Sequence, residues 1–182
     1  RGHAGNLEGD VDTIGGQFNL AKQIPGKEEF HETLRYFRRR LDLTSVDLRL
    51  STPVDADLLA QSDFDEVVLA TGISPRTPTI DGIGHPKVLS YLQLLTGARR
   101  AGKKVAVIGA GGIGFDVVEY LVQAAPSPTL DRSRWLREWG VDESLTARGG
   151  IEGVEPEAEP PQRDVWLLQR SEGAPGKRLG KT

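Results

Sequence analysis

Among its 182 residues the sequence has no cysteine and no methionine. Without a thiol the chain holds no disulfide, no nucleophilic thiolate and no cysteine-ligated iron–sulfur cluster. Histidine is nearly absent too. His3, His31 and His85 are scattered, which leaves out a dedicated zinc site. Neither sign of charge dominates: 23 basic residues stand against 26 acidic ones, for a formal charge of -3. That balance gives no reason to expect nucleic acid or an anionic membrane surface as partner. No apolar run approaches the length of a membrane span, and no signal peptide is expected. A cytoplasmic protein is expected.

What is present is a loop-rich globular composition, with 22 glycines, 11 prolines and 37% hydrophobic residues. The length suits one ordinary domain or two small ones. The chain starts on Arg1 and stops on Gly180-Lys181-Thr182 without a closing helix, which reads as trimmed ends or as a piece of a larger protein.

The first fifteen residues are weakly patterned, and Gly15-Gly16-Gln17-Phe18 forms a tight turn. Ala21 to Lys27 is a loop centred on Pro25-Gly26. Phe30, Leu34, Phe37 and Leu41 recur at helical spacing, so a helix follows with one apolar stripe. Val46 to Leu50 alternates as a strand, and Asp55 to Gln61 is a short helix. Phe64 to Ala70 is expected to be a strand running into Thr71-Gly72. Val88 to Leu95 is a helix that Gly97 ends, and Val105 to Ile108 is a strand whose unbroken apolar run predicts burial on both faces. A helix starts near Gly112. From about 124 to 162 an insertion rich in Pro and Glu interrupts the rhythm, with Trp135, Leu136 and Trp139 on a short helix. Val165 to Leu168 restores a strand, and the tail from Ser171 is loop.

The strongest signal is Val105-Ala106-Val107-Ile108 followed by Gly109-Ala110-Gly111-Gly112-Ile113-Gly114. It is a dinucleotide fingerprint in its required strand–turn–helix setting. Gly109 allows the turn, Gly111 and Gly112 let the backbone approach a diphosphate, and Gly114 allows close helix–strand packing. The helix N-terminus then offers N–H groups to the anion. The alternative is a glycine turn that merely joins a core strand to a helix. At the end of the next strand stands Gln169-Arg170 rather than a carboxylate. An arginine there suits a 2′-phosphate, so NADPH is favoured over NADH. Lys177 or Arg178 either joins that phosphate or is a loop charge. Asp116, placed in the first turn of the nucleotide helix, either caps it or points sideways. A second glycine break, Thr71-Gly72, stands at a strand's carboxyl end, where open sheets bind ligands.

Gly15 to Asn19, Ala21 to Lys27, Leu69 to Arg76, Asp81-Gly82-Ile83, His85 to Tyr91 and the glycine turn through Phe115-Asp116 together resemble the flavoprotein half of the bacterial NADPH-dependent 2,4-dienoyl-CoA reductases. The insertion with Trp139-Gly140 and the closing Leu168-Gln169-Arg170 and Leu179 to Thr182 fit this family better than its amine dehydrogenase relatives. The resemblance covers nearly the whole chain. It implies an α/β, three-layer Rossmann-like FAD/NAD(P)-binding fold, incomplete at both ends. Residues 1–100 would be part of an FAD domain and 101–182 part of an NADPH domain. It also implies a longer parent enzyme, with a barrel domain that carries FMN, a 4Fe-4S cluster and the dienoyl-CoA site of fatty-acid β-oxidation.

By position, the resemblance puts Gly16 and Gln17 beside the FAD nucleotide, Val54 at the adenine through its backbone, and Ala70, Thr71 and Gly72 beside the pyrophosphate. Val54 is equally well a plain strand-end hydrophobe. Arg76 either orients cofactor or makes a surface ion pair. The acidic position for the FAD ribose holds Gly9, between Glu8 and Asp10. No residue has the setting of a general acid or base, and a flavin reductase needs none, because its cofactors carry the hydride. Two other readings stand beside this one. One is a nucleotide-binding module without catalysis, and the other is a structural piece with no tight ligand. Uncovered apolar faces would also drive self-association of the chain.

Overall fold

The computed structural model describes residues 4–6, 12–177 and 179. The class is the expected one, α/β with open parallel sheets. Two compact units form. One comprises Arg1–Ala21 with Glu29–His85, and the other comprises Lys22–Glu28 with Pro86–Thr182.

In the first unit, strand β1 (Ala4–Asn6) pairs in parallel with β2 (Asp47–Arg49), Gly5 opposite Leu48. Between them run helices α1 (Phe18–Ala21) and α2 (Phe30–Leu43). The Gly15 and Gly16 turn feeds α1, and Phe18 N–H donates to Gly15 O at 2.8 Å. Phe18 meets the Phe30 ring edge-on at 4.8 Å between centroids, which joins the two helices. Helix α2 carries the expected stripe, but its cover is thin. Phe30, Leu34 and Leu41 are half-buried and Phe37 is exposed. Helix α3 (Ala56–Ala60) starts on an Asp55 cap that accepts from Leu58 N–H at 2.8 Å.

The strand expected over Phe64–Ala70 does not form. These residues have no regular structure, and Val67, Val68 and Leu69 are 50%, 87% and 81% exposed. A strand is stable only when a neighbour accepts its backbone hydrogen bonds. Among the described residues, no strand is paired with this segment.

The second unit holds a core. Strand β3 (Lys104–Ile108) pairs in parallel with β4 (Asp164–Leu168), Val105 opposite Val165 and Ile108 opposite Leu168. Helix α4 (Tyr91–Leu95) and helix α5 (Gly112–Val122) supply Leu94, Val117 and Leu121 to one cluster, ringed by Tyr91, Val105, Val107, Tyr120 and Val165. Each such aliphatic side chain contributes roughly 1.5–3 kcal/mol when taken from water. The expected burial of β3 on both faces is not seen. Its residues alternate between exposed and half-buried, because the helices cover one face. The helix expected from Val88 begins only at Tyr91, where Ser90 and Gln93 form a reciprocal capping box. Between α5 and β4, helix α6 (Arg132–Glu138) starts on Asp131, which accepts from Arg134 N–H at 3.0 Å.

Candidate functional site

The site is built where β3 gives way to α5. Gly109 has φ +114°, a conformation closed to most side chains, and its N–H donates to Leu168 O at 2.8 Å. Gly111 is the N-cap and brings no side-chain cap to the helix. The helix therefore begins with N–H groups that need an acceptor from outside it. A Cβ built on Gly109 or Gly111 meets nothing within 4 Å, and one on Gly112 meets only Leu179 Cδ2 at 3.8 Å. Gly114 is different. A Cβ there would lie 1.8 Å from the Gly109 carbonyl oxygen. The first three glycines leave backbone open to a ligand, and the fourth lets helix and strand touch. This cradle fits a nucleotide diphosphate.

Because β3 and β4 are parallel and in register, Gln169 and Arg170 leave the sheet at the edge where Gly109 and Gly111 lie. Gln169 Nε2 donates to Gly173 O at 2.6 Å and closes that turn. Arg170 and Lys177 are exposed, and Arg178 lies outside the described residues. What the structure gives for Arg170 is this edge position and an exposed side chain.

Asp116 opens the second turn of α5, not the first, since the helix begins at Gly112. It caps nothing. Its carboxylate is held sideways by Lys27, whose Nζ donates to Oδ1 at 2.6 Å and Oδ2 at 2.7 Å. The sequence did not single out Lys27. The two residues are 89 positions apart, and only the presence of an acid so near an anion site hinted at a counter-charge. One turn further along, Glu119 is pushed above the ordinary carboxylate range, first by burial and then by the negative charges of Glu138 and Asp116. Gln123 Nε2 donates to it. A groove lined by Glu119, Gln123, Pro128, Arg134, Glu138 and Glu159 lies along this C-terminal half of α5, away from the glycine turn.

The residues assigned to FAD lie in the other unit. Gly16 has φ +45° with open space at its Cβ position, and Gln17 is exposed. Gly15, with φ +116°, is a packing glycine instead, because a Cβ there would meet Leu34 Cδ2 at 2.5 Å. Val54 is half-buried just before α3. Ala70, Thr71 and Gly72 are exposed and irregular, with Gly72 at φ +73°, and Arg76 is exposed in the same stretch. The structure gathers the glycine turn and Arg170 at one edge, but it gives residues 70–72 no sheet edge to sit on. Glu8, Gly9, Asp10 and His3 lie outside the described residues. His31 is exposed on α2, and His85 stands in a turn. Among the described residues no group of acids and histidines is placed to hold a metal, and none of the described helices is long and apolar enough to cross a membrane.

Fold and turn together define an oxidoreductase domain of Rossmann type, of the FAD/NAD(P)-binding class. Residues 40–148 match the pyridine nucleotide-disulphide oxidoreductase family, and the chain belongs to it. With no cysteine, the chain has no counterpart of the disulphide in that name. The bilirubin reductase of Mediterraneibacter gnavus is 30% identical over 148 residues, which is 81% of this chain and 23% of that protein. The metal reductase of Desulforamulus reducens is 30% identical over 135 residues, 72% of this chain and 20% of that one. The chain thus spans about a fifth to a quarter of the length of these curated relatives. Among solved structures, a 2-naphthoyl-CoA reductase complex superposes with a TM-score of 0.60 at 22% identity, over 98% of this chain and 31% of that chain. At that identity the likeness is one of fold.

Proposed function

We propose that this chain is the electron-input module of a larger NADPH-dependent flavoprotein reductase of the 2,4-dienoyl-CoA reductase kind. Its cofactors are NADPH and FAD. The parent polypeptide would carry FMN, a 4Fe-4S cluster and the thioester site elsewhere, in a barrel domain, and would work in the cytoplasm. NADPH, when bound, supplies a hydride and FAD accepts it. The chain's own part is to bind and orient. Gly109, Gly111, Gly112 and the first turn of α5 receive the diphosphate, Gly114 holds helix to strand, and Arg170 pairs with the 2′-phosphate. Gly16, Gln17, Val54, Ala70, Thr71 and Gly72 are the proposed FAD contacts. The domain partition follows, with FAD contacts in residues 1–100 and NADPH contacts in 101–182.

The observation that carries this reading is the open glycine cradle at a helix start that no side chain caps. Relatives named for bilirubin and for metals match this same segment. That supports a shared electron-input role, with substrate choice made elsewhere in each protein. An iron–sulfur cluster does not fit in this chain, which has no thiolate to hold one. The dienoyl thioester itself is carried by the sequence resemblance alone. A nucleotide-binding module without catalysis is the second reading, favoured by the exposed, irregular state of Ala70 to Gly72.

The test is an absorption spectrum of the purified chain from 300 to 500 nm, before and after NADPH is added. A flavin spectrum that NADPH bleaches supports the full reading. A colourless chain that binds NADPH leaves the module without catalysis, and a folded chain that binds neither overturns both. The same apolar residues that lack cover are expected to make the chain self-associate, and a monomer in sedimentation at high concentration would remove that part.

A further inference from the structure

The nucleotide site has an electrostatic difficulty that the structure resolves in a specific way. A diphosphate is to be held at the N-terminal turn of α5, yet Asp116 opens the next turn of that helix, and Glu119 follows three residues later. At a rise of about 1.5 Å per residue, Asp116 stands roughly 7 Å along the axis from the N-cap. That is within a Debye length at ordinary ionic strength, so its charge is felt by the anion. An acid is an awkward neighbour there unless it is neutralised.

The neutralising group comes from outside the helix. Residues Lys22–Glu28 belong to the same compact unit as α5, although they stand far from it in sequence. This segment is fastened at two points and closed by a turn of its own. Ile24 is 2% exposed, a buried apolar anchor. Lys27 N–H donates to Ile24 O at 3.0 Å across a turn that has Gly26 at φ +85°. Glu28 accepts from Thr129 Oγ1 at 2.8 Å. Burial pushes the Glu28 carboxyl up, but hydrogen bonds led by Ser127 outweigh it and hold it below its ordinary value. Between these anchors Lys27 reaches both oxygens of Asp116, at 2.6 and 2.7 Å. A turn held on both sides of the lysine fixes where its backbone lies, from which the ammonium reaches the half-buried carboxylate at 2.6 Å.

We propose that Lys27 is a positioning residue for the nucleotide. It holds and neutralises Asp116, so that the start of α5 accepts the diphosphate of NADPH. The inference rests on the nucleotide reading given above. It differs from a merely structural ion pair in one consequence. If the pair only braced the fold, losing either partner would have the same sign of effect. If Lys27 neutralises Asp116, the two losses differ in sign. Removing the lysine leaves a bare carboxylate near the anion, and removing the acid leaves a surplus cation.

The test uses the 182-residue chain and four variants, Lys27→Met, Lys27→Arg, Asp116→Asn and the Lys27→Met/Asp116→Asn double. NADPH affinity is measured by isothermal calorimetry at about 20 and about 300 mM salt, and folding by circular dichroism. Lys27→Met is expected to bind roughly twofold to tenfold more weakly at low salt, with the gap narrowing at high salt. Lys27→Arg should bind like the wild type. Asp116→Asn should bind at least as tightly as the wild type, and the double variant should return to within about twofold of it. Equal weakening by Lys27→Met and Asp116→Asn overturns the proposal in favour of a brace. A double variant as weak as Lys27→Met overturns it in favour of direct contact between Lys27 and nucleotide. Lys27→Met binding like the wild type overturns it outright. A folded wild type that binds no NADPH fails earlier, at the nucleotide reading itself, and takes this inference with it. Should Lys27→Met fail to fold, Asp116→Asn still decides: weaker binding than the wild type overturns the proposal.

Discussion

A single methyl group separates two roles among the glycines. At Gly114 it would sit 1.8 Å from the Gly109 carbonyl oxygen, a contact with backbone that no rotamer can relieve. Gly114→Ala is therefore expected to cost about 3 kcal/mol of stability through overpacking, read as a lower urea midpoint with unchanged slope. At Gly111 the added carbon meets nothing within 4 Å, and φ is -92°, which alanine adopts freely. Gly111→Ala is expected to fold like the wild type and to bind NADPH at least about tenfold more weakly, because the methyl occupies the space the diphosphate needs. Loss of affinity without loss of stability at Gly111, and loss of stability at Gly114, is the pattern to look for. Intact binding in folded Gly111→Ala would remove the cradle from the site.

Asp142 is a second residue whose role is local and measurable. Its carboxylate accepts from the N–H groups of Ser144, Thr146 and Ala147 and from the Ser144 and Thr146 hydroxyls, all within 3.0 Å. Hydrogen bonding, led by the Ser144 hydroxyl and the Ala147 N–H, holds its pKa far below the ordinary value. A depressed folded pKa gives stability that is complete above the unfolded value, near 4, and is lost as pH falls through the folded one. Amide exchange of Ser144, Thr146 and Ala147, corrected for intrinsic rates, should thus show protection that declines below about pH 4. In Asp142→Ala the protection should already be gone at neutral pH. Equal protection in both chains would show that the turn is held by something else.

At the scale of elements, the legible parts of the sequence were those whose stability is local. The stripe from Phe30 to Leu41, the short helix at 55–61 and the strand–glycine–helix run at 105–122 each state their structure within one contiguous stretch, and each formed. The Ser90 and Gln93 box is equally local, but it starts the helix at Tyr91, where the sequence pattern puts the start at Val88. Ser90→Ala removes the acceptor for Gln93 N–H, 3.2 Å away, on a helix that brings Leu94 into the core. It is expected to cost about 1 kcal/mol, measured by thermal unfolding. What could not be read was whatever depends on a partner far along the chain. Phe64 to Ala70 has the composition of a strand and lacks a neighbour. Val105 to Ile108 reads as doubly buried and is covered on one face. Lys27 and Asp116 are distant in sequence and share no motif. In the candidate site, the strand–glycine–helix run announces an open turn and the next strand brings Arg170 to the same sheet edge, while the Lys27–Asp116 pair, 89 positions apart, is visible only in the fold.

For the whole molecule, the uneven core decides how stability is distributed. Ile24, Leu94, Leu95, Val117 and Leu121 are the buried hydrophobics among the described residues, and all five belong to the unit of Lys22–Glu28 and Pro86–Thr182. The other unit has half-buried aliphatics and exposed Val67 to Leu69, with little apolar area to set against the entropy of ordering its backbone. Local opening is therefore expected to be cheap there and costly in the nucleotide unit. Amide exchange should show α2 opening long before α5 and β3. NADPH contacts are proposed only in the second unit, so saturating NADPH should raise protection in α5, β3 and β4, by about 2.7 kcal/mol at a hundredfold excess over Kd. It should leave α2 unchanged. If α2 and α5 instead gained protection together, the two units would be one cooperative body, and the buried residues of the second would be stabilising both.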